Sequence, residues 1–303
     1  MVLRKPKLAL LGAAACLLAA AQEGAVFRSD TRLVVCHATV IDKQGHLVTN
    51  LPKEAFTVYE NKVKQEIRTF KREDLPVSLG LVIDNSGSMR NRIEQVKAAA
   101  VALVEASNRD DEVFVVNFND AAYLDLPPGK DFTNSIPELA QALAKIDTRG
   151  GTAMRDAIQM SIEHLHKAHR DKKVIVVVTD GNDNASVINL ETLMRNAHQS
   201  DILVYGIGLL NEEEHHEAAV AKKALNALAE ATGGKTFFPK DVGEVGMIAK
   251  QVAHDIRNQY TIEYSPSNSA MDGTFRQIHM TVNAPGRPTV RTRSGYYATP
   301  DKK

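Results

Sequence analysis

The chain has 303 residues, enough for one large domain or two ordinary ones. At 44% hydrophobic and 24% charged it has an ordinary globular balance. Basic and acidic residues number 37 each, and a net charge of zero argues against a broad nucleic-acid surface, which needs a basic excess.

The first segment reads as a leader. "MVLRKPK" is basic, "LALLGAAACLLAAA" is apolar, and "AAAQ" offers a small-residue cleavage site after Ala21, so residues 1–21 are expected to be a signal peptide. The apolar run from Leu8 to Ala21 is short for a membrane span, and no later segment is long and apolar enough to cross a bilayer. The rival reading is a lipoprotein anchored through Cys16, although "AAAC" lacks a large aliphatic residue three before the cysteine. With the leader removed, Cys36 is alone, so no internal disulfide is expected. It sits in "RLVVCHATVID", where a small buried apolar residue is the simplest reading.

From Thr31 to about Phe70 the pattern is β: "RLVVCHATVID", a turn at "KQGH", then two runs within "EAFTVYENKVKQEIRTF" joined at "ENK". The polar link "KREDLP" follows, and the texture changes. Between Val77 and Asn258 strands alternate with helices. The strands are "VSLGLVID", "EVFVVNF", "KKVIVVVTD", "DILVYGIGL" and the short "GKTFF". The helices are "RNRIEQVKAAAVALVEAS", "SIPELAQALAKI", "AMRDAIQMSIEHLHKAH", "INLETLMRNAHQS", "EAAVAKKALNALAEAT" and "VGEVGMIAKQVAHDIRN". Continuous apolar strands alternating with helices imply a mostly parallel, doubly wound α/β sheet covered on both faces. After Gln259 the β texture returns in "YTIEYSP", "RQIHMTVN" and "TVRTRSGYYA". Neither flank alone has many strands, and a sheet of few strands is marginal by itself. The economical architecture is an α/β domain at 77–258 inserted into one β-sandwich built from residues 26–72 and 259–298.

In open parallel sheets, ligands bind at the carboxyl ends of the strands. Oxygen side chains concentrate there in three segments: "IDNSGSM", "VVTDGNDN" and the loop "TRGGTAMRDA". Ser86 and Ser88 lie two apart in the loop leaving one strand, with Gly87 permitting a sharp turn between them. Asp84 and Asp180 end strands and supply charge, and Thr152 adds a hydroxyl from a third loop. Such a set suits a hard divalent cation, which takes oxygen ligands.

"DNSGSM" resembles the D-x-S-x-S motif of von Willebrand factor type A domains, and "GGTAMRDA" and "VVTDGNDN" resemble the threonine and aspartate segments of the same metal-ion-dependent adhesion site. The likeness covers Val77 to Asn258. The flanks resemble those of an exported bacterial family related to these domains and abundant in Acidobacteria. The resemblance implies a Rossmann-like domain and a metal site at Asp84, Ser86, Ser88, Thr152 and Asp180. It implies that the three hydroxyls touch the ion directly while the two aspartates act through water. Mg2+ is the implied ion, with Mn2+ or Ca2+ as alternatives. An open position on that ion seeks an acidic oxygen from a protein partner, commonly a Glu or Asp side chain.

Other patterns carry less. "DGNDNASVINLE" imitates an EF-hand loop, with Asp180, Asn182, Asn184 and Glu191 at ligand positions, but Ala185 stands where the turn needs glycine. Its turn residues, Asn182 to Asn184, read as a cap for the following helix. His164, His166 and His169 read as a solvated helix end, "NEEEHHE" as a charged helix start, and "ATGGKT" as a helix stop before a strand. "DNSGS" is not the G-x-S-x-G elbow of a serine hydrolase. The sequence therefore points to an exported, non-enzymatic adhesion module that captures a partner carboxylate. The alternatives are a metal-assisted hydrolase, or a structural domain whose metal only stabilises its loops. No catalytic residue is expected.

Overall fold

The computed structural model describes residues 33–300 except 73, 146 and 211–214. The leader assigned to residues 1–21 lies outside the described residues, as does the start of the first flank.

Four strands precede the polar link: β1 (Val34–Ile41), β2 (Phe56–Glu60), β3 (Val63–Gln65) and β4 (Ile67–Lys71). The α/β part then runs β5 (Val77–Asp84), α1 (Ile93–Glu105), β6 (Glu112–Phe118), β7 (Ala122–Leu124), α2 (Ile136–Ala144) and α3 (Met154–His164). It continues with β8 (Lys172–Thr179), α4 (Leu190–Gln199), β9 (Ile202–Gly208), α5 (His215–Thr232), β10 (Thr236–Phe237) and α6 (Val245–Arg257). Four strands close the chain: β11 (Tyr260–Tyr264), β12 (Phe275–Val282), β13 (Thr289–Arg291) and β14 (Gly295–Tyr297).

The central sheet has the order β10-β9-β8-β5-β6-β7 and is parallel except for β7, which pairs antiparallel with β6. Every residue of β5 is buried, because helices cover both faces of the sheet. Helix α1 packs against α2 and α6, and α4 packs against α3 and α5. From β5 the chain moves outward to β6, then crosses back to β8 on the other side of β5. The carboxyl ends of β5 and β8 therefore flank the crevice where such sheets bind ligands.

The flanks form two antiparallel sheets, β13-β1-β11-β4 and β14-β12-β2-β3. Each mixes strands from both ends of the chain: β1 and β4 pair with β11, and β2 pairs with β12. The two sheets share one apolar core, including Cys36, Val40, Val58, Tyr260, Ile262, Ile278 and Met280. Alternate residues of β12 are buried, the two-residue period of a strand with one wet face. Inside this sandwich Glu60 accepts hydrogen bonds from the Tyr264 and Tyr296 hydroxyls, at 2.8 and 2.9 Å. Cys36 is fully buried, and burial pushes its thiol up to about 12.

Three details depart from the sequence reading. The run "VKQEIRTF" is not one strand: it breaks at Glu66 and changes sheet, because buried Gln65 turns back to Val63 O and Ser267 while Ile67 enters the core. The edge strand β7 has only three residues and was not anticipated. Helix α3 ends at His164, followed by a 3-10 turn over Leu165–Lys167. His164 is not solvated but buried against Phe114 and Phe132, with Nε2 2.7 Å from Asp131 O.

Candidate metal centre

The loop after β5 begins as extended chain at Ser86 and tightens into a 3-10 turn over Gly87–Asn91. Ser86 precedes that turn, yet its side chain does not cap it, so its hydroxyl is free to face Ser88. The two Oγ atoms lie 3.1 Å apart, and Ser88 Oγ donates to Asp180 Oδ1 at 2.8 Å. Asp84 is fully buried: Oδ1 accepts from the Ser86 N–H at 2.8 Å and Oδ2 from the Thr179 hydroxyl at 2.6 Å. Burial pushes the Asp84 carboxyl up to about 6, against the pull of these hydrogen bonds. Burial raises the Asp180 carboxyl as well, opposed by Ser88 and Arg92.

Thr152 joins from the loop before α3. Gly87 N–H donates to Gly150 O at 3.2 Å and Arg149 N–H to Asn85 O at 3.0 Å, stitching the serine loop to the threonine loop. Gly150 has φ +73, and a Cβ there would lie 2.1 Å from Asp120 Oδ2. Only glycine lets Asp120 close in and accept from Gly151 N–H at 2.6 Å. The Thr152 N–H donates to Asn184 Oδ1 at 2.8 Å, and a Cβ on Gly181 would sit 3.8 Å from the Thr152 hydroxyl, so Thr152 lies against the residue following Asp180. All five residues anticipated from the sequence thus converge on one end of β5 and β8.

The donor set suits the implied ion. An octahedral shell at about 2.0–2.1 Å places neighbouring oxygens roughly 3 Å apart. The Ser86–Ser88 separation has that spacing, and Asp180 stands behind Ser88 as its hydrogen-bond acceptor. Among the described residues no group of three or more His, Cys, Asp and Glu is arranged to hold a metal. The cluster at the strand ends is instead rich in hydroxyls.

Arg92 was not anticipated. Its Nη1 donates to Asp180 Oδ2 at 2.9 Å and to Leu209 O at 3.1 Å, joining the ends of β5, β8 and β9. In the sequence it is one arginine in a charged helix start, with no spacing to mark it. Asp183 and Asn184 also act differently from expectation. The cap of α4 is Asn189, which accepts from Thr192 N–H. Asp183 instead reaches back to the start of α3, accepting from Arg155 N–H at 2.7 Å and Arg155 Nη2 at 2.9 Å.

A Rossmann-like sheet with a D-x-S-x-S loop at its switch point defines an α/β domain of the von Willebrand factor type A class in outline. The family model of the von Willebrand factor type A domain matches residues 79–251, and the chain belongs to that family. Among curated relatives, inter-alpha-trypsin inhibitor heavy chain H3 of Bos taurus is 31% identical over 228 residues, covering 69% of this chain and 25% of its own length. The chain thus spans about a quarter of that relative. Among solved structures, a von Willebrand factor type A protein from Catenulispora acidiphila aligns with TM-score 0.53 and 14% identity, over 90% of this chain and 75% of that one. Proximal thread matrix protein 1 from the mussel byssus, solved with a zinc-occupied MIDAS motif, aligns with TM-score 0.52 and 17% identity, over 65% of this chain and 49% of that one. These two structural likenesses speak to the fold.

Proposed function

We propose that this protein is an exported binding module that captures a protein partner through a divalent cation bridging to an acidic side chain of that partner. The ion is Mg2+ by preference, held by Ser86, Ser88 and Thr152 with Asp84 and Asp180 behind them. The observation that carries the reading is the convergence of three hydroxyls and two buried carboxylates at the switch point of a von Willebrand factor type A sheet. A bound cation would supply an electron-poor coordination position. The zinc-occupied motif of the mussel byssus protein supports divalent metal use in such a fold.

Binding is favoured over hydrolysis by what the nearby acids already do. A hydrolytic metal needs an activated water with a general base in reach. Asp84 is engaged by Ser86 and Thr179, Asp180 by Ser88 and Arg92, and Asp183 by Arg155 and Ser186. Export rests on the leader at residues 1–21, with periplasm, cell surface and medium all consistent with it. Among the described residues no helix is long and apolar enough to cross a membrane. We also propose that residues 26–72 and 259–298 fold as one unit around the insert at 77–258, a division supported by the strand pairing across the two flanks.

The test is a titration with short Asp- or Glu-containing peptides in Mg2+ and in chelator. Binding is expected in Mg2+ alone and is lost in Ser86→Ala and Thr152→Ala. Equal affinity in chelator would sink the proposal. Mg2+-dependent turnover of an ester, phosphoester or peptide, absent in Ser86→Ala, would favour the hydrolase. A chelator effect on melting without any peptide binding would leave the ion a structural role.

A further inference from the structure

Arg92 is the one guanidinium hydrogen-bonded to a carboxylate of the proposed donor set, among the described residues. Its Nη1 sits 2.9 Å from Asp180 Oδ2, and the Asp180 side chain is only 1% exposed. Its backbone is fixed as well: Arg92 N–H donates to Met89 O at 2.8 Å, and Val96 N–H donates to Arg92 O at 3.1 Å at the start of α1. The Leu209 carbonyl takes a second hydrogen bond from Nη1. The guanidinium is therefore held at the edge of the site, with the Arg92 side chain 34% exposed. An arginine remains charged at every working pH, so its charge is permanent.

That charge has two opposite effects. Asp84 and Asp180 bring two carboxylates to the site, and Arg92 offsets one of them. The neighbouring Asp183 is matched by Arg155 at 2.9 Å. A dication entering this cluster meets less negative charge than its two aspartates suggest, so its affinity is reduced. Once seated, it retains more uncompensated positive charge toward an incoming anion, so the anion's affinity is raised.

We propose that Arg92 couples cation and ligand binding: it weakens the site for the metal alone and strengthens it for the metal together with a partner carboxylate. This rests on the metal-bridged reading above. The coupling is reciprocal, because each ligand changes the other's affinity by the same factor. The bare protein then holds its cation loosely, and the acidic partner locks the cation in place.

The experiment measures Mn2+ affinity by titration calorimetry and by electron paramagnetic resonance, with and without an excess of a short Glu-containing peptide. It compares the wild-type chain with Arg92→Met and Arg92→Lys. Circular dichroism and thermal unfolding establish that each variant is folded. For Arg92→Met we expect Mn2+ alone to bind roughly tenfold more tightly, from loss of one nearby positive charge at a partly screened distance. The same variant should bind the peptide several-fold more weakly at saturating Mn2+. Arg92→Lys, which keeps the charge but not the guanidinium fork, should stay near wild type in both. Opposite movement of the two affinities is something a merely structural role does not produce, since loosening the loop would weaken both. Equal Mn2+ affinity in wild type and Arg92→Met leaves the metal site standing and overturns the coupling. A fall in both affinities also overturns it. No Mn2+ binding by any of the three proteins overturns the metal reading and the coupling together.

Discussion

At the scale of a residue, Asp84 shows how a site is kept at the expense of stability. Its carboxyl, ordinarily near 3.8, is pushed up to about 6 in the folded chain. Between those values the folded state holds a proton that the unfolded state has released. The contribution of Asp84 to stability therefore falls as pH rises from about 4 to about 6, and a buried charge remains at neutral pH. Over that window the effect is on the order of 3 kcal/mol. In chelator, Asp84→Asn is expected to be more stable than wild type at pH 7, with the gap closing toward pH 4. Urea unfolding across that range checks it. A variant less stable than wild type at pH 7 would show that the ionised carboxylate is an asset even without metal. With Mg2+ present, the wild type alone should gain stability, because a nearby dication favours the ionised Asp84 carboxylate that Asn cannot supply.

At the scale of elements, the helices and parallel strands were legible because their signals are local and repeated. "KKVIVVVTD" and "VSLGLVID" have few options other than buried strands. That Asp84, Ser86, Ser88 and Asp180 come together was legible for a related reason: a parallel sheet presents its strand ends at one rim, so oxygens at strand ends meet. What stayed hidden depends on partners far along the chain. The sheet change at Glu66 is decided by Ser267, which receives the Gln65 side chain. The link from Asp183 to α3 and the placement of Arg92 beside Asp180 likewise need tertiary contact to see. The glycines "GG" at 233–234 read as a helix stop, and that holds, but the structure adds a steric demand. A Cβ on Gly234 would lie 1.9 Å from Val204 O, against backbone that cannot move aside cheaply. Gly234→Ala is expected to lose about 2–3 kcal/mol, the scale of severe overpacking. Gly246, early in α6 with open space where a Cβ would go, should behave oppositely. Gly246→Ala is expected to gain about 0.5 kcal/mol from helix propensity. Denaturant midpoints of the two variants separate these outcomes, and equal midpoints would contradict both.

At the scale of the whole molecule, the sandwich is closed by interactions that neither flank can make alone. Glu60 comes from the first flank, and the two phenols that satisfy it, Tyr264 and Tyr296, come from the second. The second flank is also fastened to the α/β part. Arg293 is buried and donates to His198 O at 2.8 Å, and Arg291 Nη2 meets Asp255 Oδ2 at 2.5 Å. Removing everything after Asn258 would leave β1 and β4 without their antiparallel neighbours, β2 paired with β3 alone, and Glu60 without its donors. Such a truncation is expected to expose the first flank to protease within the time that the full chain resists. If peptides from residues 33–72 are protected equally in both, the flanks are separate units. A milder probe is Glu60→Ala, which removes the acceptor of the buried Tyr264 hydroxyl. It should cost about 1–3 kcal/mol, the cost of a buried polar group left unmade.

The pairing of β4 with β11 has one more consequence. Lys71 stands opposite Thr261 in antiparallel register, so the chain departs from the sandwich and returns to it at adjacent points on neighbouring strands. Nearly two hundred residues are spliced between two positions that a short hairpin turn could join. Topologically the insert is an enlarged loop, and close chain ends are the condition under which whole domains are grafted into hosts. The α/β half could be grafted in or removed at that seam without cutting a sandwich strand. In that picture the sandwich is a socket and the α/β half a graft.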